Sequence, residues 1–318
     1  MKLPMDILGQ TREALENELG LAQARNLYLK IYRSAQSAPS LLEGLPEAAQ
    51  VLDDGFGTKK VLWKLMDHKT VESVLLPQAG RHRTLCISSQ VGCAMACDFC
   101  LTGKQGLTRH LKTSEIVAQV LLMSKEATIT NLVFMGMGEP MHNFAAVKQA
   151  CHILRDDYGL NFSRRQITIS TSGLIPGILA LAKENFASLA VSLNASNDKI
   201  RSQIMPINNK YPIQALLDCL KIYVQKTRQR VMLEYVLLDG LTASQENALE
   251  LIELIRDLPC KINLLPWNEH FGGTYKRPTE EKVLQFAEIL RNQRISCTIR
   301  QSKGRNILAA CGQLASAS

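Results

Sequence analysis

Apolar residues follow two alternating rhythms along most of this chain. Compact apolar runs at Asn131–Gly136 (NLVFMG), Gln166–Ser170, Ser188–Leu193, Val231–Leu238, Lys261–Leu265 and Cys297–Arg300 read as buried strands. Between them lie stretches with an apolar stripe at helical spacing. One starts at Thr113 or Ser114 and runs to Lys125, with Ile116, Val117, Val120, Leu121 and Met123 on one side. Ala145–Asp156, Ile175–Glu184, Ile213–Lys226, Ala243–Leu258 and Glu280–Gln293 repeat the pattern. Arg83–Ser88 (RTLCIS) supplies the first strand. Strand-then-helix, repeated about six times, predicts an α/β fold with a parallel sheet and outer helices. The even spacing predicts a partial (β/α)6 TIM-like barrel rather than an open doubly wound sheet.

The segment before the barrel has a different texture. Thr11–Gln36 has helical periodicity broken at Gly20, which predicts two short helices. Ser37–Gly57 is polar and turn-rich and reads as a linker. Lys59–Met66 and Val71–Leu76 flank Asp67-His68-Lys69-Thr70 and predict a β-hairpin. The division expected is a small N-terminal helical accessory region over 1–58 and a barrel domain with a C-terminal tail over 59–318.

Composition narrows the class. The chain has 318 residues, 46% hydrophobic and 21% charged, in the ordinary globular range. No stretch reaches the length of a membrane span, and Met1–Gln10 lacks an apolar core with a cleavage site, so a cytoplasmic protein with no membrane partner is expected. Nine cysteines in a reducing compartment suggest ligands, catalysts or buried thiols. The net charge of +8 leans toward a polyanionic partner.

The densest chemistry lies in Cys93-Ala94-Met95-Ala96-Cys97-Asp98-Phe99-Cys100. Thiolates at that spacing suit an iron–sulfur cluster or zinc. Zinc prefers four closed ligands, commonly as two separated pairs, and the next cysteine downstream is Cys151. A cluster with one open iron is therefore favoured over a zinc knuckle. In a TIM-like barrel the chemistry sits at the C-terminal ends of the strands. Those ends read Gly136-Met137-Gly138-Glu139-Pro140, Ser170-Thr171-Ser172-Gly173, Ser192-Leu193-Asn194-Ala195 and Pro266-Trp267-Asn268. Each alone is ordinary turn chemistry. Together, on the face that carries the thiols, their small residues let a ligand approach the backbone, and Glu139, Ser170 and Asn268 could hold its amine and hydroxyls.

These features resemble the radical S-adenosylmethionine (SAM) enzymes. Thr84–Gly106 (TLCISSQVGCAMACDFCLTGKQG), Met135–Pro140, Ser170–Gly173, Met205–Asn209 (MPINN) and Ala309–Leu314 (AACGQL) look like the RlmN/Cfr family of RNA adenine methyltransferases, from about Val71 to Leu314. The resemblance implies that Cys93, Cys97 and Cys100 bind a [4Fe–4S] cluster whose open iron chelates SAM. Gly138, Glu139, Ser170, Ser192, Leu193, Asn194 and Asn268 match the family's SAM contacts. Cys311 matches the cysteine that is methylated and carries the methyl group, and Cys86 the second catalytic cysteine, which forms a transient disulfide with it. Glu72, aligned with a one-residue gap in Pro77–Leu85, matches the proton acceptor.

Pro140 and Pro266-Trp267-Asn268 resemble the branch that methylates C2 of adenine more than the C8 branch. The implied activity is C2 methylation in 23S rRNA and tRNA through methyl-Cys311, with two SAM per turnover, as a monomer supplied with electrons by flavodoxin or ferredoxin. Arg81, His82, Arg83, Lys104, Arg109, His110, Lys112, Arg164, Arg165, Lys303 and Arg305 are candidate phosphate contacts. The chain departs from the family pattern at Asn194, where His is usual, at Arg305, Asn306 and Leu308, where acidic residues are common, and in its shorter N-terminal helical region. Two rival classes are a zinc-stabilised RNA-binding module and a radical SAM enzyme acting on a protein or small molecule.

Overall fold

The N-terminal helical stretch divides at Gly20, which takes φ +84° between α1 (Arg12–Leu19) and α2 (Leu21–Tyr32). Thr11 caps α1 by accepting from the Ala14 amide. The computed structural model describes residues 6–33, 44–78, 80, 82–270 and 272–314. The proposed end of the helical stretch at Gln36 and the first part of the linker reading lie outside these residues. Arg12 pairs with Asp156 at 2.9 Å and stacks over Tyr158, which docks the two helices on the barrel wall.

The linker reading gives way to a strand. β1 (Glu47–Asp53) runs antiparallel to β2 (Lys59–Lys64), which pairs with β3 (Thr70–Pro77) as the expected hairpin. β1 is almost wholly exposed on both faces, so it carries no apolar alternation by which a strand would be read.

β3 joins β4 (Arg83–Cys86) antiparallel, with Val74 opposite Cys86. From β4 onward the large sheet is parallel. β4 is followed by the thiol loop, in which β5 (Gln90–Gly92) and β6 (Leu107–His110) clip together around the short α3 (Leu101–Lys104). Then come α4 (Thr113–Ser124), β7 (Asn131–Phe134), α5 (Phe144–Arg155), β8 (Ile167–Thr171), α6 (Ile175–Glu184) and β9 (Ser188–Ser192). The remainder is α7 (Asp198–Ile204), α8 (Ile213–Thr227), β10 (Val231–Leu237), α9 (Gln245–Ile255), β11 (Cys260–Pro266), α10 (Glu280–Asn292) and β12 (Cys297–Ile299). The sheet order β1-β2-β3-β4-β7-β8-β9-β10-β11-β12 is a (β/α)6 barrel wall closed off by a last parallel strand and extended at its first edge by the hairpin. Leu132, Phe134, Ile167, Ile169, Val191, Leu233 and Leu264 are buried along its strands. The hairpin and the tail after β12 meet, with Lys60 Nζ donating to Leu308 O at 3.2 Å and Lys303 Nζ to Pro77 O.

Candidate active site

The thiol loop is held by its neighbours rather than by its own secondary structure. The Cys93 amide donates to Gly106 O at 2.8 Å and the Cys100 amide to Cys97 O at 3.0 Å. Asp98 N donates to Ile204 O, Leu101 N to Gly312 O, and the Trp267 indole to Phe99 O, each within 3.0 Å. Gly92 has φ +73°, and a Cβ there would stand 1.9 Å from Gly106 O, so the clip requires glycine.

Cys93, Cys97 and Cys100 line one cavity of about 170 Å³. Gly138, Glu139, Ser170, Ser192, Asn194 and Asn268 line it too, together with Glu234, Arg300 and Cys311. Burial pushes Cys93 up to about 12 and raises Cys97 and Cys100, the direction in which desolvation disfavours a thiolate and a bound cation would favour it. Among the described residues no three His, Cys, Asp or Glu side chains are grouped for a single metal ion. Three sulfurs on one cavity wall suit a multinuclear cluster, where each thiolate holds its own iron.

The SAM-contact positions differ in what they do locally. Glu139 is fully buried, and its carboxylate accepts from Met141 N at 2.9 Å and Ser172 N at 2.7 Å, tying two strand ends together. Burial raises its proton affinity, while those amides favour the carboxylate. Gly138 has φ +103°, and a Cβ would fall 2.5 Å from the Gln90 Cβ. Asn194 adopts a left-handed φ of +60°, accepting from Val236 N at 3.0 Å and donating to the Met205 sulfur at 3.3 Å. Asn tolerates this conformation at lower cost than most residues. Leu193 differs from the rest: its side chain is buried in the core and does not line the cavity. Its carbonyl accepts from Arg201 Nε at 2.9 Å.

Arg201 is the principal residue that sequence reasoning missed. It is fully buried and donates to Ser172 O (2.7 Å), Ser192 O (3.1 Å) and Leu193 O, and to the Asn208 side chain at 2.9 Å. One guanidinium fork thus fixes the ends of β8 and β9 and the MPINN turn. Burial lowers its pKa to about 10. Its signal was its position four residues before Met205 in a recognisable motif, although an arginine in isolation reads as surface.

Cys86 and Cys311 line a second, larger cavity of about 430 Å³ with Leu76, Gln78, Asn263 and Lys303. Cys311 borders both cavities, and its carbonyl accepts from Asn268 Nδ2 at 3.2 Å. All nine cysteines are free, so the implied Cys86–Cys311 disulfide is not present. Burial pushes Cys86 up to about 12. Arg300 also borders both cavities. Glu72 lies on β3, buried, with its carboxylate 3.0 Å from Lys60, and lines neither cavity.

Several candidate phosphate contacts lie elsewhere. Arg83 opens β4, and Arg164 and Arg165 precede β8, so parallel strand direction puts them at the opposite end of the barrel. Arg109 is committed to Asp67 at 2.7 Å and Glu115 at 2.8 Å. Arg81 lies outside the described residues. Lys303 lines the larger cavity, and Arg305 is exposed on the tail two residues further on.

A family model for the radical SAM superfamily matches residues 87–252. The chain is 44% identical over 293 residues to the dual-specificity RNA methyltransferase RlmN of Geobacter sulfurreducens, covering 92% of this chain and 81% of that one. It is 47% identical over 268 residues to the RlmN of Geotalea uraniireducens, covering 84% and 77%. The crystal structure of a radical SAM methyltransferase from Sphaerobacter thermophilus superposes with a TM-score of 0.91 at 40% identity, covering 98% of this chain and 99% of that one.

Proposed function

We propose that this chain, which belongs to the radical SAM superfamily and, within it, to the RlmN methyltransferases, methylates C2 of adenine in 23S rRNA and tRNA. It is a SAM-dependent radical methyltransferase with a [4Fe–4S] cluster and SAM as cofactors. When bound, the cluster and SAM supply the methyl group, the electron that cleaves SAM, the 5′-deoxyadenosyl radical, and a return path for the electron released from the adduct.

The chain's own residues then have distinct tasks. Cys93, Cys97 and Cys100 hold the cluster. Gly136 and Gly138 let this strand end pack against Ile87 and Gln90, while Glu139, Ser170, Ser192, Asn194 and Asn268 line the cavity and orient SAM in it. Leu193 contributes through its backbone. The Cys311 thiolate takes a methyl group by displacement, because C2 of adenine, between two ring nitrogens, is too electron-poor to take it directly. The S-methyl carbon, stripped of one hydrogen, bonds to C2 and leaves RNA joined to Cys311. Glu72, paired with Lys60 within the hairpin and outside both cavities, is the group matched to the proton acceptor for C2. The Cys86 thiolate attacks the Cys311 sulfur: the S–S bond forms, the S–CH2 bond breaks, and its electron pair passes to the methylene carbon, which gains a proton to become methyl. An external dithiol reduces the resulting disulfide. The target base is extruded from its stack to reach this site. Flavodoxin or ferredoxin supplies the electrons, and the protein works as a monomer.

The single observation that supports this reading is that Cys311 borders both the thiol-lined cavity and the cavity containing Cys86. Nucleoside mass spectrometry of 23S rRNA and tRNA after reaction tests it. The reading expects 2-methyladenosine; 8-methyladenosine would contradict the C2 assignment, and unmodified RNA would contradict the substrate.

A further inference from the structure

The release step sets a physical problem. Cys86 lies in a buried strand end, and desolvation disfavours the thiolate that must attack. A fixed positive charge beside the sulfur is the direct remedy. Among the residues lining the larger cavity, Arg300 and Lys303 are the cations. Lys303 is turned to the hairpin, where its ammonium donates to Pro77 O. Arg300 borders both cavities, as Cys311 does.

Arg300 follows the end of β12, and its amide donates to Leu264 O at 2.9 Å, which fixes its backbone to β11. Its guanidinium touches the Met135 sulfur at 3.5 Å. No carboxylate lies within 4.0 Å of it among the described residues. Glu234, a carboxylate that acts on its charge, sits on β10 and accepts from Asn263 Nδ2 at 2.9 Å. Arg300 is half-buried and opens onto both cavities, so its guanidinium can meet an anion formed in either. The acidic groups whose charge acts on it are Cys311, Glu234 and Cys86, and of these the two thiols are the pair that reacts.

We infer that Arg300 is a positioning residue for release: its guanidinium, fixed between the two cavities, stabilises the Cys86 thiolate as it attacks the Cys311 sulfur. This rests on the function proposed above. The step is the one written there, with the S–S bond forming, the S–CH2 bond breaking and the disulfide later reduced by an external dithiol. Arg300 supplies only charge and exchanges no atom. Because Cys86 titrates far above neutral pH, a gain in thiolate fraction outweighs the lower nucleophilicity of a more acidic thiol.

The test compares Arg300→Met, Arg300→Gln and Arg300→Lys with wild type and Cys86→Ala. Cluster absorbance and thermal melting check the fold. Mass spectrometry follows Cys311 methylation, and denaturing gels follow the covalent RNA–protein adduct. The inference expects Met and Gln variants that carry methyl-Cys311 and form the adduct, but resolve it at least about tenfold more slowly than wild type, one pKa unit corresponding to a factor of ten. The Lys variant should recover most of the rate. Adduct resolution at the wild-type rate in both neutral variants would overturn it. So would loss of Cys311 methylation in a folded, cluster-loaded variant, which assigns Arg300 to the earlier step. Absence of any adduct in Cys86→Ala would instead count against the proposed function itself.

Discussion

The Lys60 ammonium stands 3.0 Å from the Glu72 carboxylate and also donates to the carbonyl of Leu308 at 3.2 Å. One buried lysine on the hairpin therefore grips both the candidate proton acceptor and the tail, three residues before Cys311. Leu308 itself takes a left-handed φ of +52°, so the tail turns sharply at the point where it is gripped.

Replacing Lys60 with Met should be strongly destabilising, because it removes the ammonium that faces a buried carboxylate. The cost expected for breaking such a pair is about 3–5 kcal/mol, read by urea unfolding. The Lys60→Met/Glu72→Gln double variant should recover part of that loss. A single variant as stable as wild type would mean that the ion pair contributes nothing.

Arg201→Met should loosen the wall of the SAM cavity. It removes donors to three carbonyls at the ends of β8 and β9, at a cost of several kcal/mol. Equilibrium dialysis should find SAM affinity reduced by tenfold or more. Unchanged affinity in a folded protein would remove Arg201 from the account of that wall.

Much of this organisation was legible in the sequence, and the exceptions share a cause. Runs such as NLVF and ITIST announce strands because one face is buried and the other no more than half-exposed, and the thiol spacing announces itself without a structure. β1 escaped notice because an exposed edge strand has no buried face to pattern. Arg201 and Arg300 look like surface arginines until strand order brings carbonyls around one and thiols around the other. Arg83, Arg164 and Arg165 read as candidate phosphate contacts because charge can be read locally, whereas which end of a barrel a residue occupies depends on strand direction.

Asn268→Ala should affect the tail more than the fold. Losing a hydrogen bond to Cys311 O costs about 1 kcal/mol in stability. Cys311 methylation, followed by mass spectrometry over a single turnover, should slow several-fold while cluster absorbance stays intact. An unchanged rate would restrict Asn268 to a passive place in the wall.

The release step should accelerate with pH. Cys86 is pushed up to about 12, so in the folded protein it is almost entirely protonated near neutrality, and only its thiolate attacks. Adduct lifetime should shorten by about tenfold for each unit of rising pH in the neutral to mildly alkaline range. The same burial means the neutral thiol is the form the fold favours: its contribution to stability is complete below the unfolded thiol pKa of about 8.5 and is lost as pH rises toward the folded value. A lifetime independent of pH would indicate that another step limits release.

The most direct measurement is mass spectrometry of Cys311 in protein purified from cells that make SAM, with Cys86→Ala in parallel. The account predicts a methyl group on Cys311 in the wild type and RNA covalently attached through that residue in the variant. An unmodified Cys311 and no adduct, in protein with an intact cluster, would contradict it.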